Sequence, residues 1–148
     1  MKLTIIIFIL NTMFAGEVLL QTTMKNQTVI FDSNKDFEVL ELVKSNDYPS
    51  SDNDTSACIN WTLDKIEIEK IIQESRPING SEWHHLFGHY PCVIQGVILQ
   101  GSTEYKYSIN SGAWFTIDSP DTTLVFGSFN EENNKFFLDS AWSIEEMD

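Results

Sequence analysis

The run Cys92-Val93-Ile94-Gln95-Gly96-Val97-Ile98-Leu99-Gln100-Gly101-Ser102-Thr103-Glu104-Tyr105-Lys106-Tyr107-Ser108-Ile109 decides the fold. Its first half is apolar enough for a central strand, and Gln100-Gly101-Ser102 supplies a turn. Glu104, Lys106 and Ser108 then alternate with Tyr105, Tyr107 and Ile109, the period of a strand that wets one face and buries the other. The pattern repeats downstream. Asn110-Ser111-Gly112 turns the chain into Ala113-Trp114-Phe115-Thr116-Ile117, and Asp118-Ser119-Pro120-Asp121 turns it into Thr123-Leu124-Val125-Phe126. Asn130-Glu131-Glu132-Asn133-Asn134 precedes a last expected strand at Lys135-Phe136-Phe137-Leu138. Hairpin-linked strands of this kind form an antiparallel meander.

Upstream of Cys92 the period is helical. Asp64 with Glu67 three residues on makes a capping box, and Leu63 and Ile68 fall where a hydrophobic staple closes. Ile68, Ile71 and Ile72 share one face with Trp61, while Lys65, Glu69 and Gln73 share the other. Pro77 ends this helix, because the residue before a proline resists helical backbone. A shorter helix is expected next, capped by Ser81, with Trp83, Leu86 and Phe87 on one face and Gly88 at its end. Earlier still, residues 45–55 are dense in turn formers. Residues 36–43 read as a strand in which Phe37 and Val39 alternate with a wet pair, Glu38 and Glu41. Residues 17–34 read as a loose lead-in with one short strand at Val29-Ile30-Phe31. The expected class is α+β, one or two helices packed on one face of an antiparallel meander sheet, in a single domain over residues 17–148.

Lys and Arg number 9 against 22 Asp and Glu, so a formal charge of -13 repels a phosphate backbone, and nucleic acid is excluded as a partner. The same field draws in cations and basic proteins. Residues 1–16 pair one positive charge at Lys2 with a short apolar run ending in Ala15-Gly16, the layout of a secretory signal peptide. The run is too short and too interrupted at Asn11 for a stable membrane anchor. In the oxidising compartment that export implies, Cys58 and Cys92 are expected to form a disulfide. The localisation read from these signals is exported, periplasmic or secreted.

Chemistry-bearing residues cluster in Glu82-Trp83-His84-His85-Leu86-Phe87-Gly88-His89. His85 and His89 have the four-residue spacing that places two imidazoles on one helix face, so His84, His85 and His89 are the candidate metal ligands, although Gly88 breaks the helix between them. There is no Gly-x-Ser-x-Gly elbow, phosphate loop or His-Glu-x-x-His, and no residue is assigned to catalysis and no cofactor is called for. Asn26, Asn53, Asn60 and Asn79 open Asn-x-Ser/Thr triplets. Trp114 and Phe115 are consecutive and point to opposite faces of their strand. One of them beside Tyr105 and Tyr107 would make an exposed aromatic anchor for a protein partner, so these four are the expected partner-binding residues.

The block Trp61-Thr62-Leu63-Asp64-Lys65-Ile66, the run Ser75-Arg76-Pro77-Ile78-Asn79-Gly80-Ser81-Glu82-Trp83-His84, the Tyr90-Pro91-Cys92 turn and the Ile109-Asn110-Ser111-Gly112-Ala113-Trp114 hairpin look like small exported bacterial proteins of uncharacterised function. More broadly the chain resembles periplasmic immunity proteins, which are small, acidic and often disulfide-bonded, and which cap a secreted toxin. The resemblance carries over no functional residue. Together with the export signals, the -13 charge and the lack of catalytic motifs, it points to an exported binding or inhibitor protein that caps a basic protein partner; the histidine cluster gives the alternative, a metal-binding protein or metal-dependent enzyme.

Overall fold

The computed structural model describes residues 29–45 and 55–142. The expected signal peptide, most of the lead-in, Asn26 and Asn53 lie outside these residues. The described elements are β1 (Glu38–Lys44), α1 (Thr55–Asn60), α2 (Lys65–Glu74), β2 (Arg76–Pro77), α3 (Gly80–Leu86), β3 (Val93–Gln100), β4 (Thr103–Asn110), β5 (Trp114–Ser119), β6 (Thr122–Gly127) and a 3-10 helix over Glu131–Phe136. The class is α+β: a six-stranded antiparallel sheet in the order β1-β3-β4-β5-β6-β2, with a few helices.

Local signals set the helices. The Glu67 amide donates to the Asp64 carboxylate and the Asp64 amide donates to the Glu67 carboxylate, each at 2.8 Å, closing the box that starts α2. Ile68, Ile71 and Ile72 are then fully buried, each contributing about 1.5–3 kcal/mol in apolar transfer. The helix stops at Glu74. Ser75 is already extended and returns its hydroxyl to the Ile71 carbonyl, and the chain runs as β2 through Pro77. α3 is capped two residues earlier than expected, by Asn79. Its side chain accepts from the Glu82 amide at 2.9 Å while Glu82 accepts from the Asn79 amide at 3.0 Å. Ser81 lies inside the first turn, because Glu82 stands at the third helical position only from Asn79.

The pleat sorts the sheet into two faces. Val39, Ile94, Ile98, Tyr105, Tyr107, Ile109, Phe115, Ile117 and Phe126 turn inward to one core with α2, Trp61 and Leu63. Phe115 and Phe126 stack there at 5.0 Å, and Phe31 meets Tyr105 and Phe126 edge-on. The Cys58–Cys92 disulfide is buried in the same core and ties α1 to the entry of β3. A bridge across 34 residues removes about 3 to 4 kcal/mol of chain entropy from the unfolded state.

Three expectations are corrected. Val29 and Ile30 are exposed coil, with only Phe31 reaching the core. α1 starts at Thr55, the last residue of the stretch expected to be loop, and runs on to Asn60. The last strand is absent: Asn130 caps a 3-10 helix through the Glu132 amide, and Phe136 is held by the Trp61 indole N–H on its carbonyl at 2.8 Å. The outer edge of β6 is already paired with β2, so a further strand has no ladder to join there.

Both sheet edges are blunted. β1 carries a bulge between Val39 and Glu41, and the carbonyl of the extra residue, Leu40, accepts from Lys65 Nζ at 2.9 Å. β2 is two residues long and contains Pro77. Short, bulged or proline-bearing edges resist strand addition.

Candidate binding surface

The same bulge builds the outer face. In a regular strand Val39, Glu41 and Val43 would all point inward; the extra residue Leu40 turns Glu41 and Val43 outward and brings Leu42 in beside Val39. At this point β1 lies so close to β3 that a Cβ on Gly96 would run into the Glu41 carbonyl oxygen. Only glycine fits there. The Tyr107 ring reaches past Gly96, and its hydroxyl donates to that same Glu41 carbonyl at 2.8 Å. Both carbonyls loosened by the bulge are therefore satisfied, one by Lys65 and one by Tyr107. Burial raises the Tyr107 hydroxyl pKa from 10.0 to about 12.

Register then lines up the outward side chains in rows across the sheet. Glu41 stands opposite Val97, Val97 opposite Lys106, Lys106 opposite Asp118 and Asp118 opposite Thr123. The Thr123 hydroxyl donates to Asp118 at 2.6 Å and orients its carboxylate. The adjoining row at one side runs Glu38, Leu99, Glu104, and at the other Val43, Gln95, Ser108, Thr116. Between these rows lies an open depression of about 340 Å³ lined by Glu41, Val43, Val97, Lys106, Ser108 and Asp118. Val43 is 55% exposed at its rim. Open to water among the described residues, the depression offers shape and charge complementarity.

The expected aromatic anchor is not on this surface. Tyr105, Tyr107 and Phe115 are buried in the core, because the hairpin register that pairs Ile109 with Phe115 puts all three on the inward face. This corrects their expected role as exposed contacts. Trp114 alone of the four points outward, at the end of the sheet where α3 covers it. Its indole N–H donates to the Gly88 carbonyl at 2.9 Å, and its ring meets Trp83 at 5.4 Å and His89 at 5.4 Å.

The histidines separate because α3 ends at Leu86, before His89. His89 packs back edge-on against Trp83 of α3 at 4.3 Å and beside Trp114, while His84 and His85 occupy the helix's last turn. His84 and His85 stay exposed with their rings 4.9 Å apart. Cys92 is committed to the disulfide. Among the described residues no group of three or more His, Cys, Asp or Glu is placed to hold a metal ion, so the expected ligand set of His84, His85 and His89 does not assemble. Glu82 is engaged elsewhere. A hydrogen bond from Arg76 at 2.9 Å, and then the Asn79 amide, hold its carboxyl below the usual range.

Of the residues that form the surface, Glu41, Val43, Val97, Lys106 and Asp118, the sequence marks Glu41 and Lys106 as wet strand positions and none as a binding residue. One signal was present: Glu38 and Glu41 were both read as wet although three apart, which a strand allows only with a bulge between them.

No helix among the described residues is long and apolar enough to cross a membrane. No family model, no curated protein and no solved structure matches the chain.

Proposed function

We propose that the chain is an exported, acidic binding protein of the inhibitor or immunity type, which caps a basic protein partner with the outer face of its sheet. The observation that carries this reading is the row Glu41, Val97, Lys106, Asp118 on a face that no described element covers, with Glu38 and Glu104 in the next row. Val43 and Val97 beside the carboxylates of Glu41 and Asp118 match a surface that presents lysine or arginine stems and charges, and Lys106 would meet an acidic group of the partner. The blunted edges favour a face over an added strand as the contact. The overall charge of -13 speeds encounter with such a partner, and the disulfide suits an oxidising compartment.

The test uses the disulfide-bonded chain and the basic protein it captures from its own compartment. Association is expected to slow steeply as salt rises. The paired reversals Glu41→Lys and Asp118→Lys are expected to slow it about tenfold or more, with the melting transition nearly unchanged. Wild-type association by the double variant, or association indifferent to ionic strength, contradicts the reading.

A further inference from the structure

A second concavity, sharing no residue with the outer-face depression, has a different chemistry. It measures about 410 Å³ and is lined by Ser128, Phe129, Glu131, Asn134, Ser140 and Trp142. Phe129 and Trp142, 36% and 46% exposed, are two of the large apolar side chains that the fold leaves in water, and both stand on this one cavity. Each is held in place. Phe129 packs edge-on against Phe87 at 5.3 Å, and the Trp142 amide donates to the Leu86 carbonyl at 2.8 Å.

We infer that this cavity binds a neutral saccharide ring, its C–H faces laid on Phe129 and Trp142 and its hydroxyls bonded to Asn134, Ser140 and Glu131. Three features select that class. The amide group of Asn134 and the hydroxyl of Ser140 both donate and accept, as a ligand bearing several hydroxyls requires. An anion is disfavoured by Glu131 in the lining and by the charge of the whole chain. A cation is disfavoured because the Arg76 guanidinium already lies 4.0 Å over the Phe129 ring. Aromatic plates with a few convergent polar groups are the general make-up of small-molecule sites. The inference is independent of the outer-face reading and stands or falls without it.

The experiment is saturation-transfer NMR with calorimetry on the disulfide-bonded chain. The probes are the methyl glycosides of glucose, galactose, mannose and N-acetylglucosamine, the disaccharides cellobiose and chitobiose, and tetramethylammonium as the cationic control. At least one saccharide is expected to saturate the protein. Its affinity is expected to fall about tenfold or more in Trp142→Ala and in Asn134→Ala, with near-ultraviolet circular dichroism reporting an intact core. Both substitutions are on exposed side chains. Failure of every saccharide to saturate overturns the inference. So does binding that survives Trp142→Ala, or saturation by tetramethylammonium with none by the sugars.

Discussion

Three residues fix where the outer face begins. Leu40 is the extra residue of the bulge, Gly96 lets β1 approach, and Tyr107 satisfies the Glu41 carbonyl that the bulge releases. Tyr107→Phe keeps the ring over Gly96 and removes only the donor. It is expected to cost about 1 kcal/mol in denaturant unfolding, the net worth of one hydrogen bond with its acceptor left partly desolvated. Tyr107 also supplies a test by pH. Its folded pKa, about 12, lies above the ordinary value of 10.0, so the folded state favours the protonated phenol. That contribution to stability is fully present below about pH 10 and is lost as pH rises toward 12. The wild type should therefore lose stability over this window relative to Tyr107→Phe, narrowing the gap between them and then reversing it. A gap that is constant through the window contradicts the buried hydroxyl.

At the scale of elements, the two helices flanking β2 start with the same device on different residues. Asp64 and Glu67 were readable because the pair stands directly ahead of the Ile68, Ile71, Ile72 face. Asn79 and Ser81 are both capping types, and only the position of Glu82 three residues after Asn79 separates them. Asn79→Ala is expected to destabilise the protein by about 1 kcal/mol, and Ser81→Ala by a few tenths at most, compared by thermal unfolding. The reverse order would place the cap at Ser81. The strands were legible wherever one face is wet and the other dry, as from Thr103 to Phe126, because period-two alternation is a direct consequence of the pleat. The apolar run at Lys135-Phe136-Phe137-Leu138 has the composition of a strand as well, but pairing is a property of the neighbours, and β2 occupies the edge it would need. α1 carries no apolar period and follows a run of turn formers.

Among the described residues, α2 and its isoleucines cover one face of the sheet, α3 covers an end of the other through Trp83 and Trp114, and no described element covers the rest of that second face. The class of fold was legible, and so was the Cys58–Cys92 pair, because helices followed by hairpins and two cysteines in an export-like chain each have a simple physical reading. The surface was less legible. That Trp114 and Phe115 face opposite ways is a local fact; that Tyr105 and Tyr107 share the side of Phe115 depends on a register between strands. Likewise Glu41, Lys106 and Asp118 are far apart in the chain and become one row only through three strand pairings.

Zero-length carbodiimide coupling tests the central proposal most directly, since it joins only carboxylates and amines already in contact. Applied to the chain in complex with the basic protein it captures, followed by peptide mass spectrometry, it is expected to link Glu38, Glu41, Glu104 or Asp118 to partner lysines. Links confined to carboxylates off the outer face, such as Glu69 on α2 or Glu131 beside the second cavity, with those four left unmodified by the partner, would contradict it.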